Sequence, residues 1–211
     1  MFKKLIIASA ILAASSSVAL AATTGPYVGA SIGVNSSTFN LKNTTAGAPS
    51  NKVDLGGRGA IANLFAGYGQ LVNQNVYLGG EAFVDATNTQ SKTTAGTASF
   101  TINQRYGYGI SFIPGLMLSN DTMAYARVGL VRSNFQLKAS APGASTSKTQ
   151  SLTGGQFGVG LQTSLTQNVD LRGEYDYTTY GSKKITSTAG TSAKFQPRTD
   201  AFTVGLVYKF D

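Results

Sequence analysis

The sequence predicts an all-β chain: an eight-stranded antiparallel up-and-down transmembrane β-barrel with short periplasmic turns and long extracellular loops. Three observations predict it. The segment 201–210 places Phe202, Val204, Leu206, Tyr208 and Phe210 on one face of a strand, with Thr203, Gly205, Val207 and Lys209 on the other. Charged residues make up only 12% of the chain, yet no apolar run after the N-terminal leader is long enough for a membrane helix. A structure that spans the membrane must then be a closed barrel, because open sheet edges cannot face lipid. Finally, period-two segments recur eight times, joined alternately by short and long polar connections.

The leader comes first. Lys3 and Lys4 form a positive n-region, residues 5–14 an apolar h-region, and Ala19 and Ala21 a small-residue cleavage site before Ala22. This divides the chain into a signal peptide, 1–21, and one barrel domain, 22–211. Without Lys3 and Lys4 the formal charge falls from +8 to about +6. The chain has no Cys, so neither disulfides nor a lipoprotein leader are expected.

The alternating segments lie near 26–39, 56–71, 75–88, 98–118, 122–138, 151–166, 168–183 and 196–210. In the first, Val28, Ala30, Ile32 and Val34 alternate with Tyr27, Gly29, Ser31 and Gly33. In the seventh, Leu171, Tyr175 and Tyr177 oppose Asp170, Arg172, Glu174 and Asp176. Short turns are expected at 70–74, 119–121 and 166–168, and Ser/Thr/Ala/Gly-rich loops near 40–55, 89–97, 139–150 and 184–195.

Alternation alone does not say which face points outward, since a soluble barrel would turn the apolar face inward. The membrane answer is favoured by Tyr68, Tyr175, Tyr177, Tyr208 and Phe210 on the apolar parity, many near the turn end, where an interfacial girdle is expected. The Gly-rich polar face also suits a cramped interior.

These residues resemble the small eight-stranded outer-membrane barrel family, which includes the transmembrane domain of outer-membrane protein A and opacity-type surface proteins. The resemblance is carried by 27–33 (YVGASIG), 65–68 (FAGY), 125–129 (YARVG), 171–175 (LRGEY) and 204–210 (VGLVYKF), and covers nearly all of the chain after the leader. It implies location in the cell outer membrane and insertion by the barrel assembly machinery, with Tyr208 and Phe210 as the assembly signal. Asp211 after Phe210 departs from a strictly terminal Phe. Ending at the eighth strand, the sequence leads us to expect no periplasmic peptidoglycan-binding domain.

An eight-stranded barrel is just wide enough for its side chains to fill it. The expected inward polar set is Glu81, Asp85, Arg105, Arg127, Gln162, Arg172, Glu174 and Asp176, in which Glu81 and Arg172 could bridge the lumen. The resemblance implies a charged network there, with Gln162 where an acid would stand. A plugged lumen is expected, with a narrow solute channel as the alternative and a soluble ligand-binding barrel as a lesser one.

No catalytic chemistry is legible. The chain has no His and no Cys, which removes Ser–His–Asp, Cys–His and His-based metal arrangements. Glu174 and Asp176 share a strand face, without a cleft for a glycoside. The Gly-rich run 154–160 lies within a strand and opens no helix, unlike a phosphate-binding loop. We expect no cofactor and no metal.

The lysines concentrate toward the expected outer loops: Lys42, Lys52, Lys92, Lys148, Lys183, Lys184 and Lys194, with Lys138 beside them and Lys209 alone at the periplasmic end. The expected partners are outer-membrane lipid and lipopolysaccharide, with anionic host glycans as a sharper possibility. Nucleic acid is not expected, because the loops hold almost no aromatic residues for stacking. The expectation is thus a monomeric, non-enzymatic surface barrel with a structural or adhesive role.

Overall fold

In the folded chain, the alternation of apolar and polar residues becomes an alternation of outward and inward faces. The computed structural model describes residues 24–44, 51–95, 98–141, 144–186 and 192–210, and the cleavage-site residues Ala19, Ala21 and Ala22 lie outside them. The strands are β1 (Gly25–Thr44), β2 (Asn51–Leu71), β3 (Val76–Thr87), β4 (Gln90–Ala95), β5 (Ala98–Met117), β6 (Thr122–Ala141), β7 (Ala144–Ser164), β8 (Val169–Tyr180), β9 (Lys183–Thr186) and β10 (Ser192–Lys209). All ladders are antiparallel, and the β1–β2 pairing closes the series β1-β10-β8-β7-β6-β5-β3-β2 into an eight-stave barrel. The remaining two strands extend staves already present. β4 follows β3 and pairs with β5, and β9 follows β8 and pairs with β10.

At one rim the staves are joined by short turns. Val72 N donates to Val76 O at 2.8 Å, Leu118 N to Thr122 O at 2.9 Å, and Leu165 N to Val169 O at 2.9 Å. Asn73 Oδ1 accepts from the amides of Asn75 and Val76, the local bond that makes Asn a turn former. The two ends of the barrel also meet at this rim, where Phe210 N donates to Pro26 O at 3.0 Å.

At the other rim the long loops expected from sequence are mostly paired strand. The ladders continue to Thr44↔Ser192, Asn43↔Asn51, Ala95↔Ala98 and Ala141↔Ala144. Lys42, Lys52, Lys92, Lys148, Lys183, Lys184 and Lys194 therefore sit on strands β1, β2, β4, β7, β9 and β10 rather than in loops. Their side chains lie outside the described set. Low hydrophobicity had suggested loops here, but Ser and Thr are compatible with a strand wherever the partner strand continues.

Orientation is decided by exposure. Ile32, Leu64, Ile110 and Val159 are 60–73% exposed, as part of an apolar belt that circles the outside. Ser31, Glu81, Arg127, Gln162 and Arg172 are buried inside. A soluble barrel would require the reverse.

One stave breaks the period. Between β5 and β6, Gln104 pairs with Phe135 but Gly107 pairs with Ser133, so β5 carries one extra residue. Gln104 and Gly107 face inward, while Arg105 and Tyr106 are both exposed. This β-bulge corrects the inward placement of Arg105, since a bulge locally resets the alternation of faces.

Candidate functional site: the charged lumen

The ion pairs of the lower lumen, toward the turn rim, form one connected network. Arg127, from β6, lies 2.5 Å from Glu81 on β3 and 3.0 Å from Glu174 on β8, and its Nε is 3.8 Å from Asp176 Oδ1. Its Nη1 donates to Ser111 Oγ at 3.2 Å. Arg172, from β8, crosses to Glu81 Oε2 at 2.7 Å, and its Nε and Nη2 donate to Gln162 Oε1 at 3.0 and 2.8 Å. Glu81 thus lies between two guanidinium groups, an arrangement suited to the rigid fork of Arg.

Gln162 relays the network toward the turn rim. Its Nε2 donates to Asp170 Oδ2 at 2.6 Å, and Asp170 Oδ1 pairs with Lys209 Nζ at 2.6 Å. The neutral amide fits because one end accepts from Arg172 while the other donates to Asp170. Ser164 Oγ adds a bond to Asp170 Oδ1 at 2.8 Å.

Aromatic rings enclose the charges. The Arg172 guanidinium lies 4.6 Å from the Phe65 ring centre, 5.1 Å from that of Tyr125 and 5.7 Å from that of Tyr27. Tyr125 OH donates to Glu174 Oε2 at 2.6 Å, and Tyr27 OH to Glu81 Oε2 at 3.3 Å. Inward glycines make room for the rings: a Cβ at Gly160 would meet the Tyr125 hydroxyl at 2.4 Å, and one at Gly29 would meet the Phe65 ring at 2.3 Å.

Toward the other rim the lumen is filled by neutral groups. Ser133 Oγ and the Tyr180 hydroxyl are 2.9 Å apart, and Ser37 Oγ donates to Gln104 Oε1 at 3.2 Å. Phe135 packs edge-on against Tyr180, with ring centres 5.2 Å apart, and is fully buried. Asp85 sits between the two layers and accepts from Asn63 Nδ2 at 2.6 Å. Among the described residues, the lumen thus carries a layer of buried charges below and a packed aromatic layer above.

Of the inward set expected from sequence, Glu81, Arg127, Gln162, Arg172, Glu174 and Asp176 are buried and joined, Asp85 is partly buried and Arg105 faces out. Sequence reasoning missed Asp170 and Lys209, although both lie on the polar parity of their strands. It also missed the inward aromatics Tyr77, Tyr125 and Tyr180, because aromatic residues were sought in the belt. In the girdle, Tyr68 stands beside Pro26 near the turn rim, and the rings of Tyr208 and Phe210 meet edge-on at 5.0 Å. Tyr175 and Tyr177 stand well up their stave instead, Tyr175 bonding Asp200 at 2.6 Å and Tyr177 half-buried. Tyr106 and Tyr108 add exposed rings toward the far rim.

Comparison with known proteins agrees with this architecture. The 25 kDa outer-membrane immunogenic protein of Brucella melitensis is 35% identical over 91 residues, which span 43% of this chain and 40% of that relative. The outer membrane protein OprG of Pseudomonas aeruginosa shares the fold at a TM-score of 0.59 and 15% identity, covering 90% of this chain and 99% of that one. The outer membrane protease OmpT of Escherichia coli shares it at a TM-score of 0.52 and 11% identity, covering 87% and 97% of the two chains. At these identities the two structures speak to fold alone. The family model for the outer membrane protein beta-barrel domain matches residues 6–210, and the chain belongs to that family.

Proposed function

We propose that this barrel is a non-enzymatic surface protein, structural or adhesive in role, whose lumen does not conduct. One observation carries the reading: the chain of contacts Arg127–Glu81–Arg172–Gln162–Asp170–Lys209 crosses the barrel from wall to wall. Moving a solute through it would leave buried charges unpaired, at a cost of several kcal/mol each. The absence of His and Cys supports the non-enzymatic part. With the short turns on the periplasmic side, the paired ribbons of the opposite rim stand outside the cell. They present lysines to lipopolysaccharide or to anionic host glycans. Its further partners are outer-membrane lipid and, during insertion, the barrel assembly machinery.

The test is conductance of the refolded barrel in planar bilayers. A silent bilayer is the expected result, and reproducible single-channel steps would overturn the reading. The alternative, a narrow pore, draws on the excess of acids among the described lumen residues. Glu81, Asp85, Asp170, Glu174 and Asp176 face Arg127, Arg172 and Lys209, so such a pore would prefer cations.

A further inference from the structure

Between the charged network and the aromatic layer, three buried oxygens face the lumen with no donor among the described residues: Asn63 Oδ1, Gln156 Oε1 and Asp176 Oδ1. Buried polar atoms are normally satisfied, so three in one layer point to a ligand that satisfies them.

The strands fix how these groups stand. On one wall Gln156 of β7 pairs with Thr178 of β8, and Asp176 pairs with Gly158. Gln156 and Asp176 are therefore diagonal neighbours on the inward face, about 7–8 Å apart at the backbone. Gln156 is 8% exposed and Asp176 7%. A Cβ at Gly158 would meet Asp176 Oδ1 at 2.2 Å, so the carboxylate lies across bare backbone. On the facing wall Asn63 of β2 pairs with Asp85 of β3 and donates Nδ2 to Asp85 Oδ1 at 2.6 Å. That bond fixes the amide and turns its oxygen away from the carboxylate. β3 and β8 stand opposite in the eight-stave ring, and Asp85 is within electrostatic reach of Asp176.

The protein's own cations are committed elsewhere. Arg127 Nε is 3.8 Å from Asp176 Oδ1, too far for a hydrogen bond, because its fork is taken by Glu81, Glu174 and Ser111. Among the described lumen residues, Glu81, Asp85, Asp170, Glu174 and Asp176 face Arg127, Arg172 and Lys209, an excess of two negative charges. Water would satisfy the oxygens and leave both charges in place, whereas a divalent cation answers both needs. Two carboxylates and two amide oxygens are hard ligands, which suit a hard cation without His or Cys. Among the described residues no three carboxylates converge, so an ion here keeps part of its water shell. Calcium tolerates such an irregular, partly hydrated set, whereas magnesium demands a near-ideal octahedron.

We propose that Asp85, Asp176, Asn63 and Gln156 form a calcium site at mid-lumen, the ion bridging the β2–β3 and β7–β8 walls through its remaining waters. Asp85 and Asn63 are partly exposed, so solvent reaches the layer. The site rests on the inward geometry and not on whether the barrel conducts.

The test uses the full chain, refolded in non-ionic detergent without lipopolysaccharide, stripped of metal and titrated calorimetrically with calcium chloride. Saturable binding is expected with a dissociation constant of about 0.1–1 mM, the range of extracellular calcium modules. Magnesium chloride should bind more weakly. Asp176→Asn and Gln156→Leu should each weaken calcium binding about tenfold or more, as loss of even an outer-shell partner does. Asp170→Asn removes the same charge from the lumen outside this layer and should weaken binding far less. Heat-modifiable migration on gels shows which variants are folded. In the wild-type chain, saturating calcium should also raise the urea midpoint of unfolding, since a ligand of the folded state adds stability. No saturable binding up to about 10 mM, well beyond that range, would overturn the site. So would wild-type affinity in folded Asp176→Asn or Gln156→Leu. Equal loss in Asp170→Asn would assign the effect to net lumen charge and overturn the placement. A barrel that conducts yet binds calcium as expected would refute the plugged-lumen reading and leave this site standing.

Discussion

Arg172 on β8 and Glu81 on β3 meet across the lumen, Nη1 to Oε2 at 2.7 Å, with both side chains at most 4% exposed. Glu81 also holds Arg127, so its two carboxylate oxygens serve two cations. Glu81→Gln leaves both guanidinium groups short of a counter-charge. We expect that variant to lose about 3–5 kcal/mol of unfolding free energy, the usual effect of removing one partner of a buried pair. Glu81→Met with Arg172→Met should recover part of the loss, because the pair then no longer needs desolvating. Urea unfolding in detergent, followed by band shift on unheated gels, measures both. A double variant less stable than Glu81→Gln would count against the pairwise account.

The neutral layer gives a second expectation. Tyr180 packs against Phe135 and bonds Ser133, and no charged residue contributes to either contact. Phe135→Ala with Tyr180→Ala removes this layer and leaves the salt-bridge network below intact. The variant should stay non-conducting in planar bilayers, whereas adding Arg172→Ala should open steps. Conductance in the first variant alone would assign the seal to the aromatic layer rather than to the charges.

How far the sequence could be read is clearest along β5 and β10. Period two divided each stave into an apolar and a polar face because lipid and lumen demand opposite chemistry at alternate positions. The tyrosines on the apolar parity and the Gly-rich polar face then gave the outward one. It failed at Arg105, because a bulge depends on pairing with β6, and nothing within β5 itself marks the extra residue. Lys209 failed for a different reason. It lies between Tyr208 and Phe210 and so on the polar parity, but its pairing with Asp170 joins β10 to β8 and is visible in neither strand alone. The ribbons failed because composition describes solubility, while pairing depends on the partner strand. Gln162 stood out as a departure from a charged network, but its relay role requires Arg172 and Asp170 in position together.

The bulge itself gives a comparison within one residue type. Arg105 is exposed and enters none of the lumen ion pairs, whereas Arg127 is 2% exposed and holds three carboxylates. Arg105→Ala should change stability by no more than about 0.5 kcal/mol, as surface substitutions usually do. Arg127→Ala should cost several kcal/mol by leaving its acids unpaired. Equal losses in the same unfolding assay would mean that Arg105 reaches the lumen after all.

At the turn rim, Asp121 accepts the Ser119 hydroxyl at 2.5 Å, and this bond, followed by a backbone amide, holds its carboxyl below the usual Asp value. A carboxyl lowered in the folded state adds stability above its unfolded value and loses it as pH falls through the folded value. The contribution is therefore present at neutral pH and disappears only in the acid range below about pH 4. Ser119→Ala removes the larger cause. In a carboxyl-carbon NMR titration, Asp121 should titrate below an ordinary Asp in the native chain and move upward in Ser119→Ala. The stability curves of the two chains should converge in acid, below the folded value, where the carboxyl is protonated in both. An unchanged midpoint in the variant would assign the shift to the backbone amide alone.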